Sequence, residues 1–125
     1  MLDYGCGFGF DADRFGWEAY DPHYRQKLPE GLFDTVVCNH VANVLTRASR
    51  RELFRSLQGL LAPRGRAYVS VSRKIPRAGK LAMRKRIQNH VVLTLPSLFR
   101  DELEIYWLEA GSVFEDRTDE IEDRL

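Results

Sequence analysis

Cysteine is nearly absent from this sequence, with Cys6 and Cys38 the only two. So few, so placed, they form neither a disulfide framework nor a metal-ligand spacing. The expectation is reduced thiols in the cytoplasm and no metal. No apolar run approaches the roughly 20 residues that a membrane span needs, and no membrane partner is expected. The opening residues lack the basic, apolar and small-residue succession of a secretory signal. Acids are scarce in one stretch. From Arg47 to Arg86 only Glu52 is acidic, among Arg47, Arg50, Arg51, Arg55, Arg64, Arg66, Arg73, Lys74, Arg77, Lys80, Arg84, Lys85 and Arg86. From Asp101 onward the balance reverses, and Arg117 and Arg124 are the sole cations. A formal net charge of +1 conceals this asymmetry, which points to a polyanionic partner for the basic half. The length suits a single domain over residues 1–125, with one core.

What the sequence does have is a dense glycine loop near its start, Leu2-Asp3-Tyr4-Gly5-Cys6-Gly7-Phe8-Gly9-Phe10-Asp11. Three glycines at alternate positions let backbone approach a ligand closely and adopt positive φ. The pattern is D-x-G-x-G-x-G, not the G-x-G-x-x-G dinucleotide fingerprint. A carboxylate just ahead of the loop repels a pyrophosphate. It suits a ligand carrying positive charge and amine donors.

Residues 2–4 end a first strand, 10–15 make a short helix stopped by Gly16, and 17–20 alternate as a second strand closed by Pro22. The run 33–39 is a buried-type strand. Thr46 or Ser49 caps a helix running to about Leu61, with Leu53, Phe54, Leu57, Leu60 and Leu61 on one face and arginines on the other. Pro63 and Gly65 end it, and residues 66–72 alternate strictly as a strand. After the basic segment, 90–95 and 103–109 are expected as an antiparallel strand pair. The tail from Glu115 is expected to fray or form a short acidic helix. Alternating strands and helices give an α/β sheet, parallel in its first part.

Asp3-Tyr4-Gly5-Cys6-Gly7-Phe8-Gly9 resembles motif I of the class I S-adenosylmethionine (SAM) dependent methyltransferases. Asp21, 18 residues after Asp3, sits where an acid at the end of the adjacent strand accepts ribose hydroxyls. Residues 33–41 resemble the family's motif IV strand, and Leu61-Ala62-Pro63-Arg64-Gly65 resembles its L-x-P-G-G turn. The combination with Tyr20-Asp21-Pro22-His23-Tyr24 and residues 41–45 is similar to a narrower group, methyltransferase-like proteins associated with DNA phosphorothioation. The resemblance implies a Rossmann-like methyltransferase sheet and SAM as cofactor, with S-adenosylhomocysteine (SAH) as product. It implies cofactor contacts from Asp3, Tyr4, Gly5, Cys6, Gly7, Gly9, Asp11, Asp21, Pro22 and Asn39.

The fold is expected in reduced form. Residues between Asp21 and Phe33 can cross the sheet edge but cannot build the usual helix, strand and helix there. The third strand, which usually carries an adenine contact, is therefore expected to be missing, as is the segment that covers one sheet face. Pro22, His23 and Tyr24 are the candidates to replace that contact.

Asn39 and His40 stand where an acceptor arrives, and His40 can take a proton from a hydroxyl or amine. Cys38 is expected at the site edge. A D-P-P-Y type signature is absent, so base amino groups are not indicated. The basic segment follows the last parallel strand and is expected at the ligand edge of the sheet. There Arg73, Lys74, Arg77, Lys80, Arg84, Lys85 and Arg86 would neutralise phosphates. The expected activity is methyl transfer to nucleic acid, with RNA favoured over DNA. The alternatives are a small-molecule or protein acceptor, or a non-catalytic SAM-binding subunit. Uncovered sheet surface leaves room for a homodimer.

Overall fold

The computed structural model describes residues 1–75, 80–81 and 87–119. Its centre is a six-stranded sheet in the order β2-β1-β3-β4-β8-β7. β1 (Leu2–Tyr4), β2 (Glu18–Tyr20), β3 (Phe33–Asn39) and β4 (Leu61–Ser72) are mutually parallel. β7 (Ser97–Arg100) and β8 (Leu103–Leu108) form an antiparallel hairpin whose second strand pairs with β4. A separate two-residue ladder joins β5 (Lys80–Leu81) to β6 (Ile87–Gln88).

The chain leaves β1 for β2 on one side and then crosses back to β3 on the other. That reversal is the switch point at which open α/β sheets bind ligands, outside the carboxyl ends of the strands. As expected, no strand lies between β2 and β3 in the chain: residues 21–32 form only an Asp21–Arg25 bridge and irregular backbone. β2 is thus an open edge.

The core follows the sequence pattern. Leu2, Val36, Cys38, Val69 and Leu57 are fully buried between the sheet and α2 (Arg47–Gly59). Thr46 caps α2 by accepting the Ser49 N–H at 3.2 Å. Arg50 departs from the expected outward arginine face. It is completely buried, donating from Nε to Asp116 at 2.7 Å and from Nη1 to the Leu45 carbonyl at 2.7 Å.

Four further expectations need correction. β4 starts at Leu61 rather than Arg66: the Pro63–Gly65 stretch is a bulge inside the strand, because Phe33 pairs with Leu61 but Thr35 with Arg66. A Cβ on Gly65 would lie 2.7 Å from the Phe33 carbonyl, so only glycine lets the bulge sit against β3. Residues 90–95 are not the first strand of the antiparallel pair, which is 97–100. Val91, Leu93 and Leu95 do alternate inward, but their neighbours' N–H groups go elsewhere: Val92 to Thr118 Oγ1, and Thr94 to the Glu115 carbonyl. Residues 115–119 are therefore neither frayed nor helical. They run extended and bridge Leu93 through Asp116. Cys38 is not at the site edge but in the core, where burial pushes its thiol up to about 12.

Candidate cofactor loop and acceptor recess

The glycine loop leaves β1 and turns into α1 (Phe10–Phe15). Gly5, Gly7 and Gly9 have φ of 82°, 60° and 83°, which side-chain-bearing residues rarely adopt. They differ in what surrounds them. A Cβ on Gly5 would meet Val41 Cγ2 at 2.6 Å, and one on Gly9 would meet the Arg25 guanidinium at 2.8 Å. A Cβ on Gly7 would meet nothing within 4 Å. The first glycine is thus demanded by packing against Val41, the third adjoins the movable end of the Arg25 side chain, and the middle one borders open space.

The loop is held from β2. The Gly5 and Cys6 N–H groups donate to the Tyr20 carbonyl at 2.8 and 3.0 Å. Gly7 N–H donates to Asp21 Oδ2 at 2.9 Å. Asp21 Oδ1 accepts from the backbone of His23 at 2.8 Å and of Tyr24 at 3.2 Å. Burial works against the charge on Asp21, but these three N–H donors outweigh it and hold the carboxyl below its ordinary range. A carboxylate has about four lone-pair sites. Asp21 therefore organises the loop first and keeps about one site for a ligand hydroxyl.

Asp3 behaves in the opposite way. Burial raises its carboxyl above the usual range, and the charges of Asp11 and Asp21 add to this. The Cys6 thiol is likewise raised, by burial and then by Asp3 and Asp21. The charges of Asp11 and Asp21 reach Asp3, and Asp21 also holds the Gly7 N–H, so carboxylates gather at the loop. A cationic ligand relieves that crowding, and the loop's chemistry fits the sulfonium and ammonium groups of SAM. Tyr4 lies behind the loop, with its ring 4.9 Å from that of Tyr20.

Pro22, His23 and Tyr24 are exposed. The Tyr24 ring packs on Phe8 at 4.3 Å, and Phe8 lies 5.9 Å from Phe10. Phe8 and Phe10 were not anticipated as site residues. The signal was present, since an aromatic between two glycines of a tight loop has no core to enter.

At the carboxyl ends of β3 and β4, Asn39 and His40 are both exposed, next to the loop's neighbour Val41. Asn39 Oδ1 accepts from Ser70 Oγ at 2.8 Å. His40 has a φ of 58°, and its N–H donates to the Ser70 carbonyl at 2.9 Å. A non-glycine residue held left-handed costs of order 1–2 kcal/mol and such residues cluster at functional sites. Together with Asn43, Val44, Ser72, Ile75 and Gln88, His40 lines a recess of about 330 Å³. Asn43 fixes one wall, donating to the Asn89 carbonyl and accepting the Ser72 N–H.

The basic segment is only partly in view. Arg73 donates to the Asp101 carbonyl at 2.8 Å and Lys74 pairs with Glu102 at 3.2 Å, so both are engaged by the β7–β8 turn. Arg77, Arg84, Lys85 and Arg86, and the side chain of Lys80, lie outside the described residues. No cluster of metal-ligating side chains is present among the described residues, and no described helix is long and apolar enough to cross a membrane.

No protein-family model and no curated protein matches the chain. Solved structures do. DhpI in its SAH complex superposes with a TM-score of 0.55 at 12% identity, over 85% of this chain and 74% of DhpI. The glycopeptide N-methyltransferase MtfA complexed with SAM gives 0.47 at 18% identity, over 88% of this chain and 65% of MtfA. PKMT2 from Rickettsia typhi, in complex with AdoHcy, gives 0.41 at 22% identity, over 55% of this chain. The chain spans only 20% of the length of PKMT2. The DhpI likeness establishes the fold: a Rossmann-like sheet in reduced form.

Proposed function

We propose that this chain binds SAM at its glycine loop and transfers the methyl group to a nucleic acid, RNA in preference to DNA. One observation carries the cofactor half of this reading. Burial and the charges of Asp11 and Asp21 raise the Asp3 carboxyl at the sheet's switch point, where Asp21 also holds the N–H of the positive-φ Gly7. A cation that fills the space beside Gly7 turns that repulsion into binding. DhpI and MtfA, solved with SAH and SAM, bind such a molecule.

Bound SAM supplies a methyl group on a positively charged sulfur, which needs alignment more than acid–base chemistry. In this reading Asp3 holds the cationic end, Asp21 offers its remaining lone pair to the ribose, and Gly5, Cys6, Gly7 and Gly9 bring backbone close. Tyr4, Asp11, Pro22 and Asn39 complete the lining. His40 accepts the proton that an attacking hydroxyl or amine gives up, and Asn39 fixes the strand end beside it.

The charge asymmetry of the sequence supports a nucleic-acid acceptor. The open β2 edge, with Phe15 exposed shortly before it, supports a homodimer. A second reading, a small-molecule acceptor, draws on the recess itself, since about 330 Å³ falls within the range of small-ligand sites.

The test is transfer of labelled methyl from SAM to total RNA, DNA and protein, each with and without nuclease, alongside calorimetry of SAM binding. Label in RNA that ribonuclease removes is the expected result. SAM binding with label in no macromolecule would shift the reading to a small acceptor. Absence of SAM binding would overturn the cofactor assignment.

A further inference from the structure

A cleft of about 460 Å³ lies away from the glycine loop, between α2 and the C-terminal segment. Arg47, Arg51 and Arg55 line it. They recur at four-residue steps, and each step is a rise of about 6 Å along the helix. Phe54 and Phe114 form its apolar side, their rings edge-on at 5.3 Å.

Among the described residues, cations predominate on the α2 side of this cleft. The first turn of α2 has no acid, although the positive end of a helix dipole favours one. Like charges four residues apart also weaken a helix. Of the acids lining the cleft, Asp116 is taken up by the buried Arg50 at 2.7 Å, while Glu115 meets Arg117 at 3.0 Å with both side chains mostly in solvent. Arg55 meets Glu52 only at 3.5 Å with both side chains mostly in solvent, a screened contact. No ion pair engages Arg51 among the described residues. Arg47, in the first turn, is anchored on the Thr118 carbonyl, so Arg51 and Arg55, farther along α2, are the guanidinium groups that the cleft offers to an external anion.

We propose that this cleft binds the sugar–phosphate backbone of a single-stranded RNA segment. Planar guanidinium groups bind phosphate oxygens in paired fashion, and a single rank of them suits one strand rather than two. Continuity favours RNA over another polyanion. The 3-10 turn Ala42–Val44 contributes Asn43 and Val44 to the His40 recess, and α2 begins three residues later at Arg47. A strand held along α2 therefore leads toward that recess. The proposal rests on the nucleic-acid reading above and adds a site outside the basic segment on which that reading was first placed.

The test is fluorescence anisotropy of a labelled oligouridylate with the whole chain, titrated over a salt series, with SAM binding measured separately by calorimetry. Arg51→Ala/Arg55→Ala removes two exposed arginines without touching the buried ones. It should weaken RNA binding roughly tenfold and lower the slope of log affinity against log salt by about 1.4, at about 0.7 per phosphate for a single strand. SAM affinity should be unchanged. Wild-type affinity and slope in the double variant would overturn the proposal. So would binding of the wild type to anionic vesicles or polyglutamate but not to RNA. Loss of SAM binding with arginine-dependent RNA binding intact would instead strike the methyltransferase reading and leave this one standing.

Discussion

Asp21 Oδ2 accepts the Gly7 N–H at 2.9 Å, and this one bond ties the end of β2 to the open middle of the glycine loop. The other oxygen holds His23 and Tyr24, so a single carboxylate sets both rims of the site. Asp21→Asn keeps the shape but puts a donor where at least one N–H needs an acceptor. The expected loss is about 1–3 kcal/mol, the cost of an unsatisfied buried polar group, read by urea unfolding at neutral pH. The folded carboxyl lies below its ordinary range, so its contribution is present above the unfolded pKa and lost as pH falls through the folded value. The gap between wild type and variant should therefore close in acid.

Asp3 should show the reverse relation. Its carboxyl is raised by burial and by neighbouring charge, so its ionised form is disfavoured in the folded protein. The penalty is absent below the unfolded pKa and grows as pH rises toward the raised folded value. Asp3→Asn should raise the melting temperature of the ligand-free protein at neutral pH and weaken SAM binding by roughly tenfold or more, a loss of about 1.4 kcal/mol. Function maintained against stability is the usual signature of a site residue. A variant that is destabilised and binds SAM normally would remove Asp3 from the cofactor site.

Much of this was legible in the sequence because the residues involved leave no alternative. Asp3 and three alternating glycines need a strand end and an open turn, and the short link from Asp21 to Phe33 cannot hold another strand. The parts that were not legible depend on distant partners. Val91, Leu93 and Leu95 alternate as a strand does, yet whether such a run joins a ladder depends on which edge is free. Here β8 is already paired on both sides, with β4 and β7. Arg50 looked like its surface neighbours on α2 because its partner, Asp116, lies 66 residues away. The acidic character of residues 115–119 concealed an extended segment for the same reason.

The packing role of Gly5 and the open flank of Gly7 separate by substitution. Gly5→Ala forces both a positive φ and a contact at 2.6 Å with Val41 onto the new Cβ. It should destabilise the fold by about 2 kcal/mol or more, from left-handed strain plus overpacking. Gly7→Ala meets no neighbour and should cost only about 1 kcal/mol in stability. Its methyl group would enter the space beside the carboxylates, so SAM affinity should fall far more than stability does. Calorimetry on both variants, paired with thermal unfolding, checks this; equal losses of affinity and stability in Gly7→Ala would place the ligand elsewhere.

Arg64 offers a stabilising change. It stands at φ 67° in the β4 bulge, where L-shaped side chains are strained, and its own side chain is exposed. Arg64→Gly relieves that strain but gives the unfolded chain more freedom. The net gain should be about 0.5–1 kcal/mol, with no effect on cofactor affinity, measured as a rise in the urea midpoint at constant slope.

The Arg50–Asp116 pair should be the most sensitive point outside the loop. Arg50 is completely buried, and the Asp116 side chain is 15% exposed. Burial alone would raise the Asp116 carboxyl, yet Arg50 and Thr118 hold it below its ordinary range. Its stabilisation is thus present above the unfolded pKa and lost as acid reaches the folded value. Asp116→Asn removes the carboxylate that faces a completely buried guanidinium, and such one-sided removals cost about 3–5 kcal/mol. Replacing both partners, as Arg50→Met/Asp116→Leu, removes the stranded charge and should recover most of that loss, since a packed apolar pair often matches a buried ion pair. The Leu45 carbonyl would then lose its donor, which sets the remaining deficit at about 1 kcal/mol. A double-mutant cycle by urea unfolding measures the coupling. If Asp116→Asn proved neutral, the C-terminal segment would not be anchored through this pair, and the wall that Phe114 and Glu115 give the α2 cleft would need another support.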